Sequence, residues 1–215
     1  MPEALGTRDA RAVVLVEGVS DRAALEVLAA RRGMDLAGEG VEIVSMGGIT
    51  NIGHFLEQLS APGRDVRVTG LYDEAEGRFV LRGLLRVGLL GDGDNGGHSD
   101  SDGEPGRRAA LEALGFYACL PDLEDELIRA LGPAAVERLV EARGDLRSFR
   151  TLQRQPAQRS RTLHEQLRRL MGGRSGGKER YAAAMAAAVP LELVPRPLAA
   201  VLDHVHAGLE IRRAE

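Results

Sequence analysis

The chain reads as an α/β protein with a mostly parallel sheet flanked by helices and a helical C-terminal extension. Three observations predict this. Ala12-Val13-Val14-Leu15-Val16 is a short apolar run that stops at a carboxylate, Glu17, and a glycine turn, as an inner parallel strand does. Strand-like and helix-like segments then alternate, which requires crossover helices on both faces of a sheet. Finally, three separate strand-like segments end on acids: Glu17, Asp73 and the cluster Asp122 to Glu126.

Taken in order, residues 1–11 read as a loose leader, 12–17 as the first strand and about 20–32 as a helix opened by Ser20-Asp21. Val41 to Ser45 alternates and predicts a second strand, followed by a turn at Met46-Gly47-Gly48. Asn51 to Leu59 sets Ile52, Phe55, Leu56 and Leu59 on one helical face. Val66 to Tyr72 is a third strand and meets Asp73. Gly91 to Gly106 is rich in Gly, Asp and Ser and reads as a mobile loop, its weak likeness to a calcium loop failing on spacing. A helix over 107–114, a strand over 115–120 and a helix from about 123 to Leu131 follow. Further helices are expected at about 134–143, 161–171, 178–188 and 198–211. Residues 1–131 thus form the sheet domain and 132–215 a helical extension packed on the same core.

The 215 residues suit one sizeable α/β domain with an appendage. A net charge of −4 provides no global basic field for nucleic acid, yet residues 143–180 are rich in arginine and hold only three acids, Asp145, Glu165 and Glu179. A single cysteine, Cys119, rules out an internal disulfide and fits a cytoplasmic setting. No apolar run is long enough for a membrane span, and no Cys or His spacing suggests zinc. The 28 basic residues include one lysine, Lys178, which is either the survivor of a bias toward arginine or a place that needs a compact ammonium.

Strand ends of a parallel sheet point the same way, so these distant acids converge on one edge. Converging carboxylates repel at neutral pH unless cations or raised pKa values relieve them, and an all-oxygen donor set suits Mg²⁺ or Mn²⁺. A lone acid at a strand end is more often a helix cap; three in succession favour a site. Asp122 can be a simple cap and Asp125 a solvated residue. Gly172 to Glu179 imitates a phosphate loop, but Glu179 stands where Ser or Thr should hold Mg²⁺, and a helix precedes it. The five histidines lack ligand spacing.

Val16-Glu17-Gly18-Val19-Ser20-Asp21, Gly70-Leu71-Tyr72-Asp73 and Asp122-Leu123-Glu124-Asp125-Glu126-Leu127 resemble a TOPRIM domain, in particular that of the OLD (overcoming lysogenisation defect) nucleases. The resemblance covers about residues 12–131 and extends loosely to Gly176-Gly177-Lys178-Glu179-Arg180-Tyr181-Ala182. It implies a TOPRIM-like, Rossmann-like sheet and a stand-alone nuclease that cleaves DNA with two Mg²⁺ or Mn²⁺ ions. It implies Glu17, Asp21, Asp73 and Glu124 as metal residues, Glu17 also as an acid/base, and Lys178 as a stabiliser of phosphate charge. Ser45, Gly47, Gly48 and Asn51 resemble the loop and helix start that approach the nucleic-acid backbone. The family's Asp-x-Asp is here Asp73-Glu74-Ala75, so the second acid is missing; either Glu76 substitutes, or Asp21 and Glu124 suffice, or catalysis is impaired. OLD proteins usually carry an ATPase half, for which this chain has no room, so an ATPase would come from another chain; a homodimer is also conceivable. The alternatives are a non-catalytic nucleic-acid-binding module, a nucleotidyl transferase and a phosphohydrolase of small esters.

Overall fold

The computed structural model describes residues 10–90, 103–173 and 176–214. Four parallel strands form one sheet: β1 (Ala12–Val16), β2 (Val41–Ser45), β3 (Arg67–Asp73) and β4 (Phe116–Cys119), in the order β2-β1-β3-β4. Around it lie α1 (Val19–Arg31), α2 (Ile52–Leu59), α3 (Gly77–Arg86), α4 (Gly103–Ala113), α5 (Leu123–Leu131), α6 (Pro133–Ala142), α7 (Leu146–Gln153), α8 (Leu163–Gly172), α9 (Gly177–Ala188) and α10 (Arg196–Ala214).

The period of two along β1 divides the core. Ala12, Val14 and Val16 face one cluster with Leu25, Leu28, Leu127, Val140, Met185 and Leu202; Val13 and Leu15 face the other with Phe55, Leu56, Val80 and Leu111. Helices on both faces explain why all five β1 residues are buried. Gly70 lies where β3 passes β1, and a Cβ there would stand 2.7 Å from the Leu15 carbonyl oxygen and 3.1 Å from the Phe116 ring. Only glycine allows that approach.

Three expectations are revised. The helix after β1 begins one residue earlier, and its N-cap is Gly18 rather than Ser20; the Asp21 carboxylate accepts the Gly18 N–H at 2.9 Å. Helices α3 and α7 went unassigned in the sequence because glycine and arginine interrupt their short apolar faces, although each buries a stripe, Val80 and Leu84 in α3 and Phe149 in α7. The loop expected over 91–106 ends early, because α4 already begins at Gly103; its residues 91–102, residues 1–9 of the expected leader and most of the calcium-loop likeness lie outside the described residues.

Helices beyond residue 132 join the same core as β1, through Val136, Phe149, Leu167, Met185 and Val201 among others. Helix α9 packs along α1. Arg31 of α1 donates from Nη1 to the Ala186 and Val189 carbonyls, both at 2.6 Å, and holds the last turn of α9. Near its first turn, Tyr181 donates to Asp145 at 2.8 Å. These contacts fix the helix that carries Lys178.

Candidate metal centre

Strand order decides where a site forms. The chain leaves β1 for β2 on one side and returns to β3 on the other, so the carboxyl ends of β1 and β3 are neighbours across a topological switch point, where open α/β sheets bind ligands. Glu17 follows β1 directly and Asp73 ends β3.

The strand does not continue past Asp73. Glu74–Glu76 form a 3₁₀ turn instead, which swings Glu76 back toward the strand ends. One carboxylate oxygen from each of Glu17, Asp73 and Glu76 lies within 4.8 Å of the others. The turn thus places a longer acid, one residue after Ala75, beside Glu17 and Asp73.

The electrostatics follow from crowding. Burial, then the negative charges of Asp21, Asp122, Glu17 and Glu124, push the Asp73 carboxyl up to about 7. Burial, a hydrogen bond with Glu17 and the charges of Glu17, Asp73 and Asp21 push Glu76 up to about 8. Asp21 rises to about 6 mainly through burial, against the Gly18 N–H that favours its charged form, with Glu124 and Glu17 adding to the rise. Glu76 Oε2 and Glu124 Oε1 are buried without a hydrogen-bond partner. Crowded, unpartnered carboxylate oxygens fit a hard divalent cation, which would supply the missing positive charge.

The acids after β4 divide by role. Asp122 caps α5, accepting from the Asp125 N–H at 2.9 Å, and pairs with Arg168. Asp125, expected to be solvated, is held by a hydrogen bond with His164 Nε2 at 2.6 Å and by Arg129 at 3.3 Å, so His164 is a hydrogen-bond partner of the acid cluster. Glu126 accepts the Leu120 N–H and pairs with Arg129. Glu124 is buried in the first turn of α5 and accepts from Lys178 Nζ at 3.3 Å. Burial works against the Lys178 ammonium, but Glu124, Asp122 and Asp73 outweigh it, and its pKa lies above the ordinary lysine value. The solitary lysine, 54 residues away in sequence, thus meets the fourth acid.

The loop after β2 is tied to the same edge. The Met46 N–H donates to Val16 and the Gly48 N–H to the Glu17 carbonyl, at 2.9 and 3.1 Å. Gly48 has a φ of 127°, closed to side chains with a Cβ, which lets the loop double back. Ser45 is buried, and the Asn51 amide donates to the Met46 carbonyl at 2.8 Å, so Asn51 braces the loop. Sequence reasoning did not find the role of α8, whose Arg168 reaches Asp122; no spacing in the sequence signals that pairing.

Residues 10–73 match the family described as the overcoming lysogenization defect protein-like TOPRIM domain. The whole chain is similar to the solved C-terminal region of the Xanthomonas campestris pv. campestris OLD protein, 22% identical over 95% of this chain and 98% of that one, with a TM-score of 0.70. It is equally similar to the C-terminal region of the Burkholderia pseudomallei OLD protein, at 20% identity over 93% and 98% of the two chains and a TM-score of 0.70. No curated protein matches the sequence significantly. The fold expected from the sequence is the fold observed, and no helix among the described residues is long and apolar enough to cross a membrane.

Proposed function

We propose that the protein is a divalent-metal-dependent nuclease that hydrolyses DNA phosphodiester bonds by a two-metal reaction. One observation carries this reading: Glu17, Asp73 and Glu76 bring carboxylate oxygens within 4.8 Å at the sheet's switch point, beside the Glu124–Lys178 pair. Glu17, Asp73 and Glu76 would hold one Mg²⁺ or Mn²⁺, and Asp21 and Glu124 would serve a second. Bound there, such ions polarise a phosphoryl oxygen and lower the pKa of an attacking water.

The chain's own residues prepare that chemistry. The Gly18 N–H holds the Asp21 carboxylate in one orientation. Glu76 makes a hydrogen bond with Glu17, which a bound cation would replace. The acids around Lys178 keep it protonated, so it serves as an electrostatic stabiliser of the phosphate and not as a base. The loop of Ser45, Gly47, Gly48 and Asn51, tied to the Glu17 carbonyl, would lie along the nucleic-acid backbone. Residues 132–215 act as the extension that delivers Lys178. The reading includes a cytoplasmic setting, with a separate ATPase chain and a second copy of this chain as partners.

Plasmid nicking with Mg²⁺ or Mn²⁺ tests the reading. Wild type should nick, and Glu17→Ala, shown to be folded by its melting curve, should lose roughly 10³-fold in rate, as when a charge-stabilising group is removed. Equal nicking by both defeats it. The alternative is a non-catalytic nucleic-acid-binding module, which tight DNA binding without metal-dependent turnover would favour.

A further inference from the structure

Glu124 and Lys178 also line a second space. A cavity of about 340 Å³ opens from them, and its far wall is built by α8 and the turn before it, through Arg161, Glu165, Arg168 and Arg169. Several of these charges are already committed. Arg168 pairs with Asp122, and Lys178 with Glu124. Glu165 closes the α8 capping box, accepting the Thr162 N–H at 2.8 Å and the Thr162 hydroxyl at 2.9 Å, which holds its carboxyl below the ordinary range. The guanidiniums of Arg161 and Arg169 have neither an ion pair nor a hydrogen bond among the described residues. Four cations stand against three acids around the cavity, an excess of one positive charge.

We propose that this cavity is a phosphate subsite, in which Arg161 and Arg169 grip one internal backbone phosphate of the DNA strand, flanking the phosphate at the acid cluster. The inference rests on the reading under Proposed function and deepens it. A phosphodiester carries one negative charge and matches the excess. Guanidinium forks suit its two free oxygens. The shared wall of Glu124 and Lys178 joins cavity and acid cluster, so one continuous strand can occupy both. The surface is charged rather than apolar, and the chain's aromatic content is 3%, which favours backbone grip over base stacking.

The test is a binding scan. Fluorescence anisotropy is measured on a labelled duplex in Ca²⁺, with single backbone phosphates replaced one at a time by neutral methylphosphonates. Wild type should lose about tenfold to a hundredfold in affinity at one position, the range expected for charge-assisted hydrogen bonds to a phosphate. The double variant Arg161→Ala/Arg169→Ala should bind the unmodified duplex weaker by a similar factor, lose its sensitivity at that one position and show a salt slope smaller by about 1. The double variant Arg82→Ala/Arg138→Ala, two exposed arginines outside the cavity lining, controls for net charge. A double variant that keeps the wild-type scan, weakens no more than the control, or a wild type that does not bind DNA, overturns the proposal. Affinity is read without cleavage, so a failure of nicking leaves this result intact and the two failures are distinct.

Discussion

Metal binding at the acid cluster should expel protons, and the structure sets how many. At pH 7 a carboxyl with a pKa of about 7, Asp73, is half protonated, and one at about 8, Glu76, is mostly protonated. Asp21, at about 6, holds about a tenth of a proton. Filling both ion positions, which requires all three ionised, therefore releases roughly one and a half protons at pH 7 and few at pH 9. The same linkage makes apparent affinity about tenfold tighter from pH 7 to pH 8. Isothermal titration of Mn²⁺ in buffers of different ionisation enthalpy reads the number directly. Glu76→Gln should reduce the release at pH 7 by about one proton. Binding that releases no protons at pH 7 refutes the reasoning, because the carboxyls would then be ionised already. The sign for stability follows from the same values. The folded chain holds protons that the unfolded chain, with ordinary carboxyls, has lost, so metal-free stability falls as pH rises from the ordinary carboxylate range through about 8. Saturating Mg²⁺ should remove that fall, and a metal-free melting temperature that climbs across the window contradicts it.

Three further outcomes are expected. Glu76→Ala should slow plasmid nicking by roughly 10²-fold or more while Glu74→Ala changes it little, since the 3₁₀ turn gives the third cluster position to Glu76; equal effects would place the ligand wrongly. Lys178→Ala should lower kcat by about 10²–10³-fold with Mn²⁺ affinity nearly kept, as for loss of a group that acts on developing charge, and a change confined to KM would assign the lysine to binding alone. Gly70→Ala should destabilise the fold by about 1–3 kcal/mol in urea unfolding, because the Leu15 backbone and the Phe116 ring cannot both yield to a new methyl; an unchanged midpoint would show that β1 and β3 can separate there.

Local pattern made much of the sheet legible. The unbroken apolar run at 12–16, the alternation at 41–45 and the acids that follow three of the four strands are properties of neighbouring residues, and they place Glu17 and Asp73 at strand ends. Helices α3 and α7 were not legible, since each buries only a few residues in a stretch broken by glycine or arginine, and what stabilises them is the surface they meet. Glu76 was the hardest case. Read as a continued strand, residues 74 and 76 fall on faces set by a period of two; the 3₁₀ turn changes that period, and its formation depends on the Glu74 N–H donating to the Pro121 carbonyl of a distant loop.

Residue order alone determined the strand ends, the choice of hard-cation donors and the singular lysine, because each depends on identity and short spacing. Which acids share an ion was decided in three dimensions. Strand order set Glu17 beside Asp73, the turn added Glu76, and the packing of α9 on α1 carried Lys178 to Glu124 across 54 residues. Carboxylate repulsion and attraction act over a few ångströms of space, and sequence distance carries no information about them.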